Sequence, residues 1–382
     1  MISILKGRKV VIVFASLDLG GSERRGLLLA DYLHRRLGAS VQIMGLGNKR
    51  GRVCEVCEEL GLPWSGMPFH WGLRRRLPSL LRAVRALREA GPEIILSYTR
   101  VPNLVCAWGS RWIGAKLLVW NQGDEGLLLD GSFPYRVAAR VPHCFISNST
   151  GGKEFLLKTY GIPPQDVHLV ANGIALQAPK AGKEHWRRQW GAIPGTLVVG
   201  MVANLSIYKD HETLLRAWSR VITKEWQNPP LLVLAGRCDG TESGLTRLAR
   251  ELGIGEHVRF LGPIDDVAGM LGAIDLFAYS SKCEGVPNGV LEAMASGLAI
   301  VGTDIPGIRE AVGPDDSRYL CAVGDSAGMA ELINELLRDE TLRYEVGRAL
   351  QQRIEREFTL ETMCRKSAEI ISKALVACER TA

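Results

Sequence analysis

Glu284 and Glu292 stand eight positions apart in Glu284-Gly285-Val286-Pro287-Asn288-Gly289-Val290-Leu291-Glu292, which continues as Ala293-Met294-Ala295-Ser296-Gly297. A strand-like run from Asp275 to Tyr279 precedes the segment and a second, Ala299 to Gly302, follows it. The stretch therefore reads as strand, loop, helix, strand, with Pro287 at the helix start, where its missing N–H is no loss. Between Pro287 and Glu292 such a helix rises about 7–8 Å, at about 1.5 Å per residue, which is close to the reach of a diphosphate. One acid could hold a sugar and the other a ribose, with the helix N-terminus facing the phosphates between them. The bland alternative is an ordinary solvated helix start.

The elements that must carry these acids alternate along the whole chain. In the first half, strand-like runs begin near Val10, Val41, Ile94, Leu117, Cys144 and Val167, with helical stretches such as Glu23 to Leu37, Leu77 to Ala90 and Gly152 to Tyr160 between them. The second half repeats the rhythm at Val198 to Ala203, Leu231 to Ala235, Val258 to Leu261, Leu276 to Tyr279, Ala299 to Gly302 and Tyr319 to Val323. Helices over His211 to Trp226, Glu242 to Leu252, Gly289 to Ala295 and Ala327 to Arg338 separate those runs. This is the pattern of parallel sheets wrapped by helices. A chain of 382 residues exceeds one core. Ala175 to Lys183, rich in Ala, Pro, Gly and Lys, reads as the linker between two α/β domains, and the chain is helical after Arg338. We expect an N-terminal domain over 1–175, a C-terminal domain over 184–358, and a last segment, 359–382, that packs back on the first.

Composition narrows the class. Hydrophobic residues make up 46% and charged residues 23%, as in a soluble enzyme. No apolar run approaches the ~20 residues of a spanning helix, and Val10 to Leu17 reads as a first strand and not a signal segment. Nine cysteines without a regular framework fit a reducing compartment. Cys54 and Cys57 form a lone C-x-x-C, read as two residues on one helix face. Residues 1–185 carry 25 Lys and Arg against 14 Asp and Glu, a net +11, whereas residues 186–382 carry 22 against 27, a net −5. A basic first half suits an anionic partner surface.

The Glu-Gly-x-Pro-x-x-x-x-Glu and Ala-Met-Ala-x-Gly pattern resembles the donor-binding signature of family 4 retaining glycosyltransferases. The resemblance covers nearly the whole chain and is strongest from Val198 to Val312. It implies the GT-B fold, two Rossmann-like parallel-sheet domains facing a central cleft, with acceptor on the first and nucleotide-sugar donor on the second. Within it, Met201-Val202-Ala203-Asn204-Leu205-Ser206-Ile207-Tyr208-Lys209 matches the family's strand and loop carrying a phosphate-contacting lysine, Lys209. The family often has Arg where this chain has Asn204, which can donate a hydrogen bond but brings no charge. Leu19-Gly20-Gly21-Ser22-Glu23-Arg24 resembles the family's Gly-Gly-x-Glu-Arg loop; Gly20 and Gly21 either admit a phosphate or acceptor to the backbone or simply form a tight turn with Ser22 as cap. The dinucleotide fingerprint is absent.

Weaker matches are Asn172-Gly173-Ile174 and Leu234-Ala235-Gly236-Arg237, where Arg237 either touches a phosphate or is plain surface. Pro306-Gly307-Ile308-Arg309-Glu310 resembles a turn that lies near the donor in relatives. The chain departs from its relatives after the fifth strand. Many carry a His there, but this sequence reads Trp120-Asn121-Gln122-Gly123-Asp124-Glu125. Asp124 or Glu125 either orients the acceptor or caps the next segment, and His70 and His143 read as structural, so no general base is assigned.

The resemblance implies a retaining transfer of a hexose-type sugar from a UDP- or GDP-linked donor to a glycan or lipid-linked glycan acceptor, in cell-surface polysaccharide or glycolipid synthesis. Glu284 would hold sugar hydroxyls, Glu292 the ribose and Lys209 the diphosphate, with backbone N–H groups of Gly285, Val286, Pro287's neighbours and Asn288 adding donors. Glu284 and Lys209 are thus the catalytic candidates, and Asn204, Arg237 and the 285–288 loop join Glu292 in donor binding. No metal is expected, since no Asp-x-Asp motif stands in a metal-binding setting and Asp265-Asp266 and Asp315-Asp316 read as caps; no cofactor beyond the nucleotide-sugar substrate is implied. A sugar-nucleotide 2-epimerase of GT-B shape and a non-catalytic glycan-assembly subunit are the alternatives. The segment His70 to Arg88 has six arginines and no acid. Either it is a surface helix with solvated arginines, or Trp71, Arg74, Arg75, Arg76 and Arg82 rest on an anionic membrane leaflet, which would make a cytoplasmic protein peripheral to the inner face. Nucleic acid is not expected, because no aromatics interleave the arginines.

Overall fold

The computed structural model describes residues 2–70, 72–123, 131–174, 178–222 and 225–381. The chain forms two compact units: one up to Gly173 joined by the segment from Leu360 onward, the other Ile174–Thr359.

The first unit holds strands β1 (Lys9–Phe14), β2 (Ser40–Gly45), β3 (Trp64–Gly66), β4 (Ile94–Tyr98), β5 (Leu117–Gln122), β6 (Cys144–Ser147) and β7 (Val167–Leu169). All pair in parallel, in the order β3-β2-β1-β4-β5-β6-β7. Both β4 and β5 are buried along their whole length. That is why they read as continuous apolar runs instead of alternating ones: helices cover both faces. Val10, Ile12, Phe14, Ile94, Leu96, Leu117 and Val119 face one side, and Val11, Val13, Ile95, Leu118 and Trp120 the other. The period of two along each strand divides the apolar side chains between the two cores.

The last helix, Leu360–Thr381, contributes Met363, Cys364, Ala368, Ile371 and Leu375 to the first of these cores. Glu379 then joins a charged knot at the N-terminal strand ends. Arg8 Nη1 lies 2.6 Å from Glu93 Oε2 and 3.1 Å from Glu379 Oε1, and Lys116 Nζ lies 3.2 Å from each acid.

The second unit holds β8 (Val198–Val202), β9 (Leu231–Ala235), β10 (Val258–Gly262), β11 (Leu276–Tyr279), β12 (Ile300–Thr303) and β13 (Leu320–Cys321), again all parallel, in the order β10-β9-β8-β11-β12-β13. The chain leaves β8 toward one edge and returns at β11 to build toward the other. Strand order reverses between these two neighbours, and it is beyond the C-terminal strand ends at such a reversal that open parallel sheets bind ligands. In the first unit the same reversal falls between β1 and β4.

Several expectations shift. The short strand β3 carries too few residues to signal itself in sequence. The arginine-rich helix, expected over Leu77 to Ala90, runs Leu73–Ala90; Pro78 sits inside it, and Ser79 Oγ donates to Arg75 O at 2.6 Å within that turn. The helix expected to reach Trp226 ends at Val221. Lys183, read as linker, opens a helix, Lys183–Trp190. The linker is pinned by Asp266: its carboxylate accepts the N–H of Lys180 at 3.0 Å and of Ala181 at 2.9 Å, the Trp186 indole at 3.2 Å, and the Gly269 N–H that caps the helix Val267–Ala273. Asp266 thus acts as a cap. Cys54 and Cys57 are buried in the helix Arg52–Leu60, and burial pushes the Cys57 thiol up to about 12.

Candidate functional site

The loops that follow β8 and β11 carry Lys209 and Glu284, and backbone hydrogen bonds sew them together. The Lys282 N–H donates to Tyr208 O at 2.9 Å, and the Ser280 hydroxyl to Lys209 O at 3.3 Å. The Ser281 hydroxyl reaches Tyr208 O at 3.1 Å. Beneath, Ser281 and Thr303 exchange bonds: the Ser281 N–H donates to Thr303 Oγ1 at 3.0 Å and the Thr303 hydroxyl to Ser281 O at 2.8 Å. Lys209 Nζ forms an ion pair with Glu284 Oε1, and both side chains are only partly exposed. Tyr279 completes the cluster. Lys209 Nζ donates to its hydroxyl at 2.9 Å, and that hydroxyl donates to Glu284 Oε1 at 3.1 Å.

Asp210, directly after Lys209, has φ 38° and ψ 40°, a left-handed conformation that Asp tolerates better than most residues. This turn sends the chain into the helix His211–Val221. His211 is buried, and burial together with the Lys209 charge pushes its imidazole down to about 4. It is neutral near pH 7 and adds no charge beside the lysine.

Gly285, Val286 and Pro287 are buried and lead into the helix Asn288–Ala295, with Pro287 at the cap position in extended conformation, one residue before the first helical turn. Two close approaches hold this loop. A Cβ on Gly289 would stand 2.4 Å from Val202 O, so the helix start sits directly on the end of β8. A Cβ on Gly307 would stand 2.0 Å from Gly285 O and 2.6 Å from Glu284 O. The Pro306-Gly307 turn therefore presses backbone to backbone against the Glu284 loop. Glu292 lies one helical turn further in and is buried, 8% exposed. An ammonium, a carboxylate and a helix N-terminus thus gather at the reversal point of one sheet, an arrangement suited to a phosphate-bearing ligand.

Asn204 and Arg237 meet on the adjacent loops: Asn204 Oδ1 accepts the Arg237 N–H at 3.3 Å. The Arg237 guanidinium turns instead to Asp239, at 3.0 Å. Gly20 and Gly21 stand at the start of the helix Gly21–Asp31 in the first unit. There the reversal point also holds Thr99, just after β4, at φ 69°, a strained angle for a β-branched residue; its Oγ1 is buried with no hydrogen-bond partner among the described residues. At the end of β5, Asn121 Nδ2 donates to Ser97 O at 3.2 Å and Gln122 Oε1 accepts from the Trp120 indole at 3.0 Å. His143 Nδ1 accepts the Leu118 N–H at 3.0 Å and is structural. Asp124, Trp71 and the side chain of Arg74 lie outside the described residues.

Sequence reasoning did not single out Tyr279, Ser281, Thr303 or Thr99. A hydroxyl closing an otherwise apolar strand, as in Leu276-Phe277-Ala278-Tyr279, is the signal that points to the first of these.

The family model for Glycosyl transferases group 1 matches residues 182–353, and that for Glycosyltransferase Family 4 matches residues 19–178. N-acetyl-alpha-D-glucosaminyl L-malate synthase of Bacillus anthracis is 30% identical over 285 residues, spanning 70% of this chain and 71% of its own. The lipopolysaccharide core biosynthesis glycosyltransferase LpsE of Rhizobium meliloti is 31% identical over 264 residues, 69% of this chain and 73% of its own. In three dimensions, Anabaena HepE, solved in complex with UDP and glucose, superposes with a TM-score of 0.83 at 21% identity, over 96% of this chain and all of that one. The fold is GT-B, and the chain belongs to the family 4, group 1 glycosyltransferases.

Proposed function

We propose that this protein is a retaining, metal-independent hexosyltransferase that takes its sugar from a UDP- or GDP-linked donor. The observation that carries this reading is the Lys209–Glu284 pair beside the start of the helix Asn288–Ala295. Departure of a nucleoside diphosphate builds negative charge on the leaving oxygens. Lys209 and the N–H groups of Val286 and Asn288 answer it without a metal ion, since fixed charges and dipoles are worth most where charge develops. Glu284 holds sugar hydroxyls and Glu292 the ribose. Retention follows from a same-face route in which the departing phosphate helps take the acceptor proton, so catalysis rests on positioning. The related proteins named for cell-envelope and small-molecule glycosylation, and the UDP held by HepE, support a nucleotide-sugar donor. The acceptor in this reading is a glycan or lipid-linked glycan bound to the first unit near Gly20, Gly21 and Asp124, in cell-surface polysaccharide or glycolipid synthesis. Incubation with labelled UDP-, GDP- and ADP-sugars in excess chelator, without acceptor, tests it. Slow release of nucleoside diphosphate and free sugar is expected. Formation of a 2-epimer, or activity only after manganese or magnesium is restored, contradicts it.

A membrane surface is supported by the helix Leu73–Ala90. Leu77 and Leu81, one turn apart, are 63% and 62% exposed. Arg75, Arg82, Arg85 and Arg88 flank them, with Glu89 paired to Arg85. No described helix is long and apolar enough to cross a membrane. Apolar side chains within a basic field suit a helix lying on an anionic leaflet, and in this reading the protein works at the inner face of the membrane.

A further inference from the structure

Tyr279 is the last residue of β11 and is 2% exposed. Its ring is fixed from several sides. It stacks on Phe277 with centroids 6.1 Å apart and planes 18° from parallel, and Gly289 at the helix start packs against its edge. What is exposed to chemistry is the hydroxyl, which lies between a cation and an anion.

The direction of each hydrogen bond follows from the donors available. An ammonium only donates, so Lys209 gives a proton to the phenol oxygen, and the phenol's single proton goes to Glu284 Oε1. Ser281 Oγ also lies 3.2 Å from Glu284 Oε1, but its one proton has two other acceptors in reach, Tyr208 O at 3.1 Å and Cys283 O at 3.4 Å. Tyr279 is the hydroxyl committed to Glu284.

We propose that Tyr279 is a positioning residue that allows Lys209 to serve two anions in turn; this rests on the reading of Lys209 as the donor-diphosphate contact. Before the donor arrives, Lys209 neutralises Glu284. When the diphosphate draws the ammonium away, a partly buried carboxylate would be left without its partner, and stranding such a group is costly. The Tyr279 hydroxyl stays on Glu284, keeps the carboxylate solvated and aimed, and so lowers the cost of releasing Lys209. Without the hydroxyl, Glu284 holds the lysine against the incoming phosphates.

A thermodynamic cycle tests this. Calorimetry with UDP, GDP and ADP is run on the wild type, Tyr279→Phe, Glu284→Gln and the double variant. Phenylalanine keeps the ring and its stacking, so the thermal midpoint should stay close to that of the wild type. In the wild-type background Tyr279→Phe should weaken binding of the preferred diphosphate about tenfold. In the Glu284→Gln background, where a neutral amide no longer competes for the lysine, the same change should cost almost nothing. Equal losses in both backgrounds, or no loss in either, would overturn the inference and leave the donor reading standing. A wild type that binds none of the three diphosphates would overturn the donor reading, and this inference with it.

Discussion

Lys209 Nζ and Glu284 Oε1 pair directly across the point where strand order reverses in the second sheet, one from the loop after β8 and the other from the loop after β11. Neither loop places its residue alone. The hydrogen bonds from Ser280, Ser281 and Lys282 to the Tyr208 and Lys209 carbonyls fix one loop against the other. The pair is therefore preorganised before any ligand arrives, and a donor diphosphate has to compete with Glu284 for the ammonium.

Removing the cation should be felt first in binding. Lys209→Ala is expected to weaken nucleoside diphosphate affinity about tenfold or more, the loss of a charge-assisted contact. Calorimetry at low and at high salt checks this. The wild type should lose affinity as salt rises, and the variant much less.

The contact between Gly307 and Gly285 makes a sharper structural prediction. Gly307→Ala inserts a methyl group where backbone carbonyls stand at 2.0 and 2.6 Å, and backbone cannot swing aside as a flexible side chain would. We expect a loss of about 1–3 kcal/mol in stability. A disproportionate fall in turnover should accompany it, because the Glu284 loop itself is what must shift. Denaturant unfolding and donor turnover, measured on the same preparation, separate the two effects.

Asp266 gives the second unit a pH dependence. Burial pushes its carboxyl upward, but the N–H groups of Lys180, Gly269 and Ala181 and the Trp186 indole outweigh this and hold it below the ordinary 3.8. A depressed carboxyl contributes stability that is fully present above the ordinary value and is lost as the pH falls through the lower folded one. Asp266→Asn should cost about 1–2 kcal/mol near neutrality and flatten the acid limb of the stability curve, whereas Asp265→Asn, at an exposed position, should do neither. Thermal midpoints between pH 3 and 7 give the comparison.

Membrane docking is tested by flotation with vesicles. Binding to anionic vesicles should exceed binding to neutral ones and fall as salt rises, with each basic residue near the surface contributing about 1 kcal/mol. Replacing Leu77 and Leu81 by Asp should abolish the residual binding at high salt. Equal flotation with neutral lipid would argue for a purely apolar attachment, and no flotation for a soluble acceptor.

Much of the fold was legible because buried parallel strands leave continuous apolar runs, as at Val10–Phe14 and Leu231–Ala235. Glu284 and Glu292 stood out by their spacing around Pro287 and Gly297, and Lys209 by the resemblance of the strand and loop that carry it; the structure brings Lys209 and Glu284 together. What escaped was long-range or short. Three-residue β3 has no period to detect. The helix expected from Leu77 begins four residues earlier, at Leu73, and carries Pro78 inside it. The Tyr279 hydroxyl meets Lys209 only through the pairing of β8 with β11, and the need for glycine at 307 appears only when its turn is laid against Gly285. Thr99 carried no mark in sequence of its left-handed backbone angle.

The division of labour between the two carboxylates is the centre of the account, and nucleotide affinity measured beside donor turnover for Glu284→Gln and Glu292→Ala tests it most directly. Glu284→Gln should bind nucleoside diphosphate at least as tightly as the wild type, since the amide no longer competes for Lys209, while turnover falls about a hundredfold or more, on the order of 3 kcal/mol of transition-state stabilisation. Glu292→Ala should weaken nucleotide binding about tenfold, with turnover at saturation far less affected. Equal loss of nucleotide binding in both variants would contradict the assignment of sugar to Glu284 and ribose to Glu292.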